Sequence, residues 1–218
     1  MADSSQRMRI LPILAILALA PQSALASDDV PLSPIGFSFS PSVPKALSPD
    51  HPLYRRIALE PVADMPGVVG AKATLGLTGA AKRSSFEKAL RETMDKLNML
   101  APTIAEAKVR LSPRWIDMDA PFKISFSSRA SVTMGWSLTR IDNGQLLFQR
   151  DISTAAESKG GNGTARTVGV GRIALMTNIA SALSCIDKAA YGAAPQDCAL
   201  SPNFQYKAPT SIIMFLPG

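Results

Sequence analysis

The stretch "SSRASVTMGWSLTRIDNGQLLFQRDI", residues 127–152, decides the fold. Ala130, Val132, Met134, Trp136 and Leu138 recur at every second position, with Ser131, Thr133, Ser137 and Thr139 between them. Side chains of a strand alternate between its two faces, so this pattern describes one buried and one wet face, as in an antiparallel sheet. Phe122, Ile124 and Phe126 extend the apolar set upstream and Ser125 and Ser127 the polar one. "IDNGQ" then reads as a hairpin turn. A two-residue Asn-Gly loop would set Leu138 opposite Gln149 and Trp136 opposite Asp151. A three-residue loop, Asp142-Asn143-Gly144, sets Leu138 opposite Phe148 and Met134 opposite Ile152. A slip of one residue exchanges the faces. The second register keeps apolar with apolar, and it requires Gly144 in the left-handed region beside a bulge.

Upstream, "AKVRLSPRWIDMD" continues the alternation. Val109, Leu111 and Trp115 point one way, and Lys108, Arg110 and Arg114 the other. Three cations on one strand face suit phosphate or carboxylate groups, and they also suit a solvated face that discourages edge pairing. Asp117 and Asp119 share a face if the strand persists that far. Paired carboxylates can move protons or hold a cation, and next to Pro121 they also suit a solvated turn.

Working outward, "YRRIALEPV" (54–62) reads as a short strand and the glycine-rich 63–81 as a loop. Residues 84–101 form an amphipathic helix. Phe86, Leu90, Met94 and Leu97 lie on one stripe, and Ser84 and Glu87 have capping-box spacing. Glu87–Arg91 and Glu92–Lys96 are i,i+4 pairs, and Pro102 stops the helix. Residues 155–167 read as a mobile Gly/Ser/Thr loop. Residues 170–187 form a second helix, with a stripe of Leu175, Met176, Ile179, Leu183 and Ile186. The order is strand, helix, three strands, helix. That predicts an α+β domain built as a two-layer sandwich, with a mostly antiparallel sheet and two helices on one face.

The ends have a different character. Arg7 and Arg9 precede an 11-residue apolar run from Ile10 to Ala20, and Ala24-Leu25-Ala26 follows. This is the layout of a secretory signal peptide cleaved after Ala26. The run falls short of the roughly 20 residues that cross a bilayer, and no later segment reads as a span. Ser27 follows the cleavage site where a lipoprotein would carry cysteine. The expected organisation is a signal peptide 1–26, a proline-rich extended arm 27–53, an α+β domain 54–190 and an irregular tail 191–218. Short strands are conceivable in "IGFSFS" (35–40) and "SIIMFL" (211–216).

Composition narrows the chemistry. The whole chain carries a net charge of +6. Arg7, Arg9 and Asp3 leave with the signal peptide, so 21 basic stand against 16 acidic residues, and no dense Lys/Arg block marks a nucleic-acid binder. His51 is the only histidine and lies in the proline-rich arm, a poor place for the base of a Ser-His-Asp site. No Cys/His cluster suits a metal. "SKGGNGTARTVGVGR" lacks both phosphate-loop and dinucleotide spacings, so no cofactor is implied. Cys185 and Cys198 suit a disulfide in an oxidising compartment, worth about 3 kcal/mol by loop closure.

Residues 55–187, with "RLSPRWIDMDAPFKISFSSRASVTMGWSLTRIDNGQLLFQRDI" and "GRIALMTNIASAL", resemble a loose group of small proteobacterial envelope proteins. These are similar to transport-auxiliary lipoproteins and to the plug-like partner of the lipopolysaccharide translocon. The chain departs from that group at the missing lipobox cysteine, so a lipid anchor is not carried over. The acyltransferase activity attached to some relatives belongs with hexapeptide repeats, which this sequence lacks. The resemblance implies a non-enzymatic periplasmic accessory protein that binds an envelope protein or an anionic lipid. A carboxylate-based enzyme at Asp117 and Asp119, or a purely structural envelope factor, is the alternative. Protein sequenced from the envelope fraction should begin at Ser27. A chain still starting at Met1 would end the export reading.

Overall fold

The computed structural model describes residues 30–35, 44–73, 76–120, 127–159, 163–194, 198 and 203–206. The expected signal peptide, the alternation at Phe122, Ile124 and Phe126, most of 35–40 and all of 211–216 lie outside these residues. The main sheet has five strands in the order β1 (Ile57–Leu59), β4 (Val109–Asp119), β5 (Ser127–Arg140), β6 (Leu146–Lys159), β7 (Asn203–Tyr206). The central pairings β4–β5 and β5–β6 are antiparallel, and the two edge strands pair in parallel. A separate antiparallel ribbon, β2 (Val68–Ala73) with β3 (Gly76–Lys82), leads into α1 (Arg83–Lys96). The second helix, α2, runs Gly163–Ala189. The α+β architecture is the one the alternation implied.

The hairpin register is also the expected one. Leu138 opposes Phe148 and Met134 opposes Ile152, and Gly144 has φ +70°. The turn itself is one residue longer. Arg140 N–H donates to Gln145 O (2.8 Å), while Ile141 N–H donates to Lys108 O just ahead of β4 (3.0 Å). Ile141 is thus drawn to the neighbouring strand and drops out of the ladder. Thr139 opposes Leu146, which leaves Leu147 as the extra residue of a bulge.

Several local readings are corrected. Residues 68–82 are a strand pair instead of a loop. Gly79 permits its close packing, since a Cβ there would lie 2.9 Å from Val68 Cγ1. The ribbon runs straight into α1, so the N-cap is Lys82 and Ser84 lies inside the helix with no capping bond. Glu87 instead accepts from Val62 N–H and Arg83 Nε (both 3.0 Å), and the pairs on this helix are Arg83–Glu87 and Lys88–Glu92. The helix ends before Pro102, in a left-handed turn at Asn98 (φ 56°). Asn98 N–H donates to Asp95 O (2.9 Å) and Met99 N–H to Met94 O (2.9 Å), a Schellman closure. Downstream, β6 continues to Lys159 and α2 begins at Gly163, where a mobile loop was expected.

α2 is predominantly apolar and is buried on nearly every side. It packs on β5 and β6 with one side and meets the β2–β3 ribbon with another. At Gly171 a Cβ would stand 2.7 Å from Ala80 Cβ and 2.8 Å from Met118 Cε, so only glycine allows this approach. Residues 166–189 meet the length and hydropathy of a membrane span, against expectation, yet most of them are buried in the fold. The arm adds to the core: Val30, Leu32, Leu47 and Leu53 are all buried.

One polar residue ties helix to sheet. Asn178 Oδ1 accepts from Trp136 Nε1 (3.0 Å), and Asn178 Nδ2 donates to Ile152 O (2.8 Å). Thr154 Oγ1 donates to Ala174 O (2.9 Å) beside it. Asn178→Ala should cost about 1–3 kcal/mol, because it leaves a buried indole N–H without a partner. Urea unfolding measures this, and a loss well under 0.5 kcal/mol (an order-of-magnitude threshold) would show that the network is dispensable.

Candidate functional site

The sheet has a helix-covered face and an open one. On β4 the cations alternate as expected: Arg110 and Arg114 are exposed, while Val109, Leu111 and Trp115 are buried. A register shift between Trp115 and Asp117 then reverses the alternation. Ile116 bulges out, Asp117 opposes Thr133 and Asp119 opposes Ser131. Both aspartates therefore lie on the same open face as the arginines, and both are exposed. Among the described residues no group of three His, Cys, Asp or Glu side chains is placed to hold a metal.

The three predicted cations do not form one site. Arg110 Nε lies 3.1 Å from Glu60 Oε1, just beyond the end of β1, and Ser112 Oγ donates to the other oxygen of the same carboxylate. Arg114 reaches across Gly135 to Asp151 on β6, with Nη2 3.8 Å from Oδ1. Gly135 is what lets the two meet: a Cβ there would stand 2.9 Å from Asp151 Oδ1. Both pairs are half-exposed, so they neutralise the face without adding much stability.

Lys108 has different company. It precedes β4 at the end of the sheet and is exposed, with no carboxylate in ion-pairing reach among the described residues. The parallel register that pairs Ile57 with Val109 sets Arg56 beside Lys108, and Arg56 O accepts from Lys108 N–H (2.9 Å). Arg56 likewise lacks a carboxylate partner there, its Nη1 donating only to Pro52 O (3.4 Å). These two cations stand at the rim of an open cleft of about 810 Å³ between the β5–β6 turn and the C-terminal end of α2. Leu53, Val109 and Leu138 are buried side chains of its lining, and Ala189 and Ala190, at and just past the end of α2, form the opposite wall. A third cation, Arg140, is held by both carboxylate oxygens of Asp142. That bond keeps the Asp142 carboxyl below its ordinary value, so the pair persists as pH falls until the lowered value is reached.

The cleft's walls are anchored from behind. Buried His51 accepts the Leu53 N–H at Nδ1 (3.0 Å), and its Nε2 lies 3.0 Å from Asp187 Oδ1, a close contact that is off-line for a hydrogen bond. Tyr191 packs its ring edge-on to the imidazole, with centroids 5.0 Å apart. The only histidine is thus a fastener between arm and helix. Cys185 and Cys198 are bonded, with Cα atoms 5.3 Å apart. The bridge ties residue 198 to α2, and Arg150 Nη1 donates to Cys198 O (3.1 Å). No local pattern announces the cleft, because its residues come from the arm, the start of β4, the β5–β6 hairpin and the end of α2. The one available signal was "QLLF", where two adjacent leucines break the alternation.

No family model matches the sequence, and no curated protein matches it. Among solved structures, a Xanthomonas campestris protein of the DUF330 family superposes with a TM-score of 0.50 at 10% identity, over 70% of this chain and 95% of that one. A Caulobacter crescentus protein provisionally described as a lipoprotein (TM-score 0.35, 14% identity, 49% and 82% coverage) and a hypothetical protein from Chlamydia trachomatis (0.42, 9%, 63% and 98%) are similar more loosely. At such identities the DUF330 match speaks for the fold alone. Arg110→Gln and Arg114→Gln should each change stability by less than about 1 kcal/mol in thermal or urea unfolding. A larger loss would make these pairs part of the framework.

Proposed function

We propose that this chain is an exported accessory protein of the cell envelope that works by binding an anionic envelope component. The observation that carries the reading is the Arg56–Lys108 pair: two adjacent cations, exposed, with no carboxylate beside them among the described residues. Like charges side by side repel weakly in water and gain when an anion joins them. The N-terminal signal-peptide layout and the Cys185–Cys198 bridge support export into an oxidising compartment.

Sedimentation with vesicles tests the binding. The chain should bind phosphatidylglycerol vesicles and bind phosphatidylcholine vesicles far less, and the difference should shrink as salt rises, since exposed charges are screened over about 10 Å at 0.1 M. Arg56→Gln with Lys108→Gln should weaken binding several-fold. Arg110→Gln and Arg114→Gln should matter less, because Glu60 and Asp151 already occupy those cations. Asp117→Asn and Asp119→Asn should not matter. Binding that ignores salt and the Arg56–Lys108 change would overturn the reading.

A further inference from the structure

We infer that the cleft at the end of the sheet is a ligand site for an amphiphile with one alkyl chain and an anionic head. This rests on the proposed function and adds the site and the class of molecule. Lys108 and Arg56 provide the head contact. The chain contact comes from three side chains that the fold leaves uncovered. Ile141 is 41% exposed, Leu146 51% and Leu147 37%, and all three line the same cleft. Isolated exposed leucines are ordinary, but three large aliphatic residues clustered in one concavity are an interaction surface.

The backbone explains why they cluster. Strict alternation would bury one of Leu146 and Leu147. The bulge at Leu147 prevents that, and Phe148 takes the buried place opposite Leu138. Ile141 is held over the same end by its N–H bond to Lys108 O. One backbone link therefore sets an apolar wall directly beside a cation that has no carboxylate partner among the described residues. The cleft's volume falls within the range of small-ligand sites. Its exposed rim contains both polarities an amphiphile needs, close together and in a fixed order: cations on the β1–β4 side, aliphatic side chains on the β5–β6 side. Arg140, clasped by Asp142, stays out of the contest for the head group.

Dodecyl phosphate, kept below its micelle concentration, is the probe, and titration calorimetry of the oxidised chain purified from the envelope fraction is the measurement. One-to-one binding is expected, with amide NMR shifts concentrated at Leu53, Lys108, Ile141 and Ala189. Leu146→Glu, at an exposed position, should weaken it at least ten-fold while leaving the unfolding midpoint in place. Lys108→Gln should weaken it several-fold. Inorganic phosphate and dodecyl maltoside should each bind much more weakly than the probe. Probe binding that ignores Leu146→Glu, or inorganic phosphate binding equally well, would overturn the amphiphile site. Absent probe binding with phosphatidylglycerol vesicle binding intact would overturn this inference and leave the proposed function standing. Loss of both would overturn the two together.

Discussion

Asn178 is the hinge pin of the packing. A helix that buries nearly all of its surface, as α2 does, gains little from any one rotation or depth against a sheet through apolar contact alone. The carboxamide resolves both at once: its oxygen takes the Trp136 indole N–H of β5, and its nitrogen reaches the Ile152 carbonyl of β6. Thr154, one pleat further along β6, caps the helix carbonyl of Ala174. A shift of α2 by one residue would leave several buried polar groups without partners, each costing on the order of 1–3 kcal/mol. With α2 fixed, Gly171 brings the β2–β3 ribbon against its far side, and the C-terminal turn arrives where His51 and the arm meet it.

The long strands were legible because alternation over five or more positions has one interpretation, and the turn because only one register kept Leu138 on Phe148 and Met134 on Ile152. The misreadings share a cause. The capping box at Ser84 and Glu87 is a local pattern, and it lost to a tertiary demand: Glu87 bonds Val62, 25 residues back. The β2–β3 strands are poor in β-formers and rich in glycine, so intrinsic preference argued for a loop. They exist as strands because α2 offers a surface to cover.

The site was legible only in part, for a related reason. Alternation showed correctly that Arg110 and Arg114 face outward, but not what they face. Glu60 follows β1 and Asp151 lies on β6, and which carboxylate meets which guanidinium depends on register across three chain segments. Lys108 shares the alternation of that row but stands ahead of β4, beside Arg56 instead of a carboxylate among the described residues. The bulges at Ile116 and Leu147 shift single residues between faces, and a pattern read as strict alternation passes over both.

The arm has a consequence for the order in which this protein can be made. Arg172 in α2 holds the Val30 carbonyl, 142 positions earlier, and His51 meets Asp187. The earliest part of the core to be synthesised is therefore completed by nearly the latest. The arm can first dock on the end of α1, where Leu47 N–H donates to Leu97 O (2.9 Å) and Asn98 Nδ2 to Leu47 O (3.2 Å), but its bonds to α2 span most of the chain, and contacts of such long sequence separation are slow to form. The last contacts of the arm with the core thus wait until nearly the whole chain has been made.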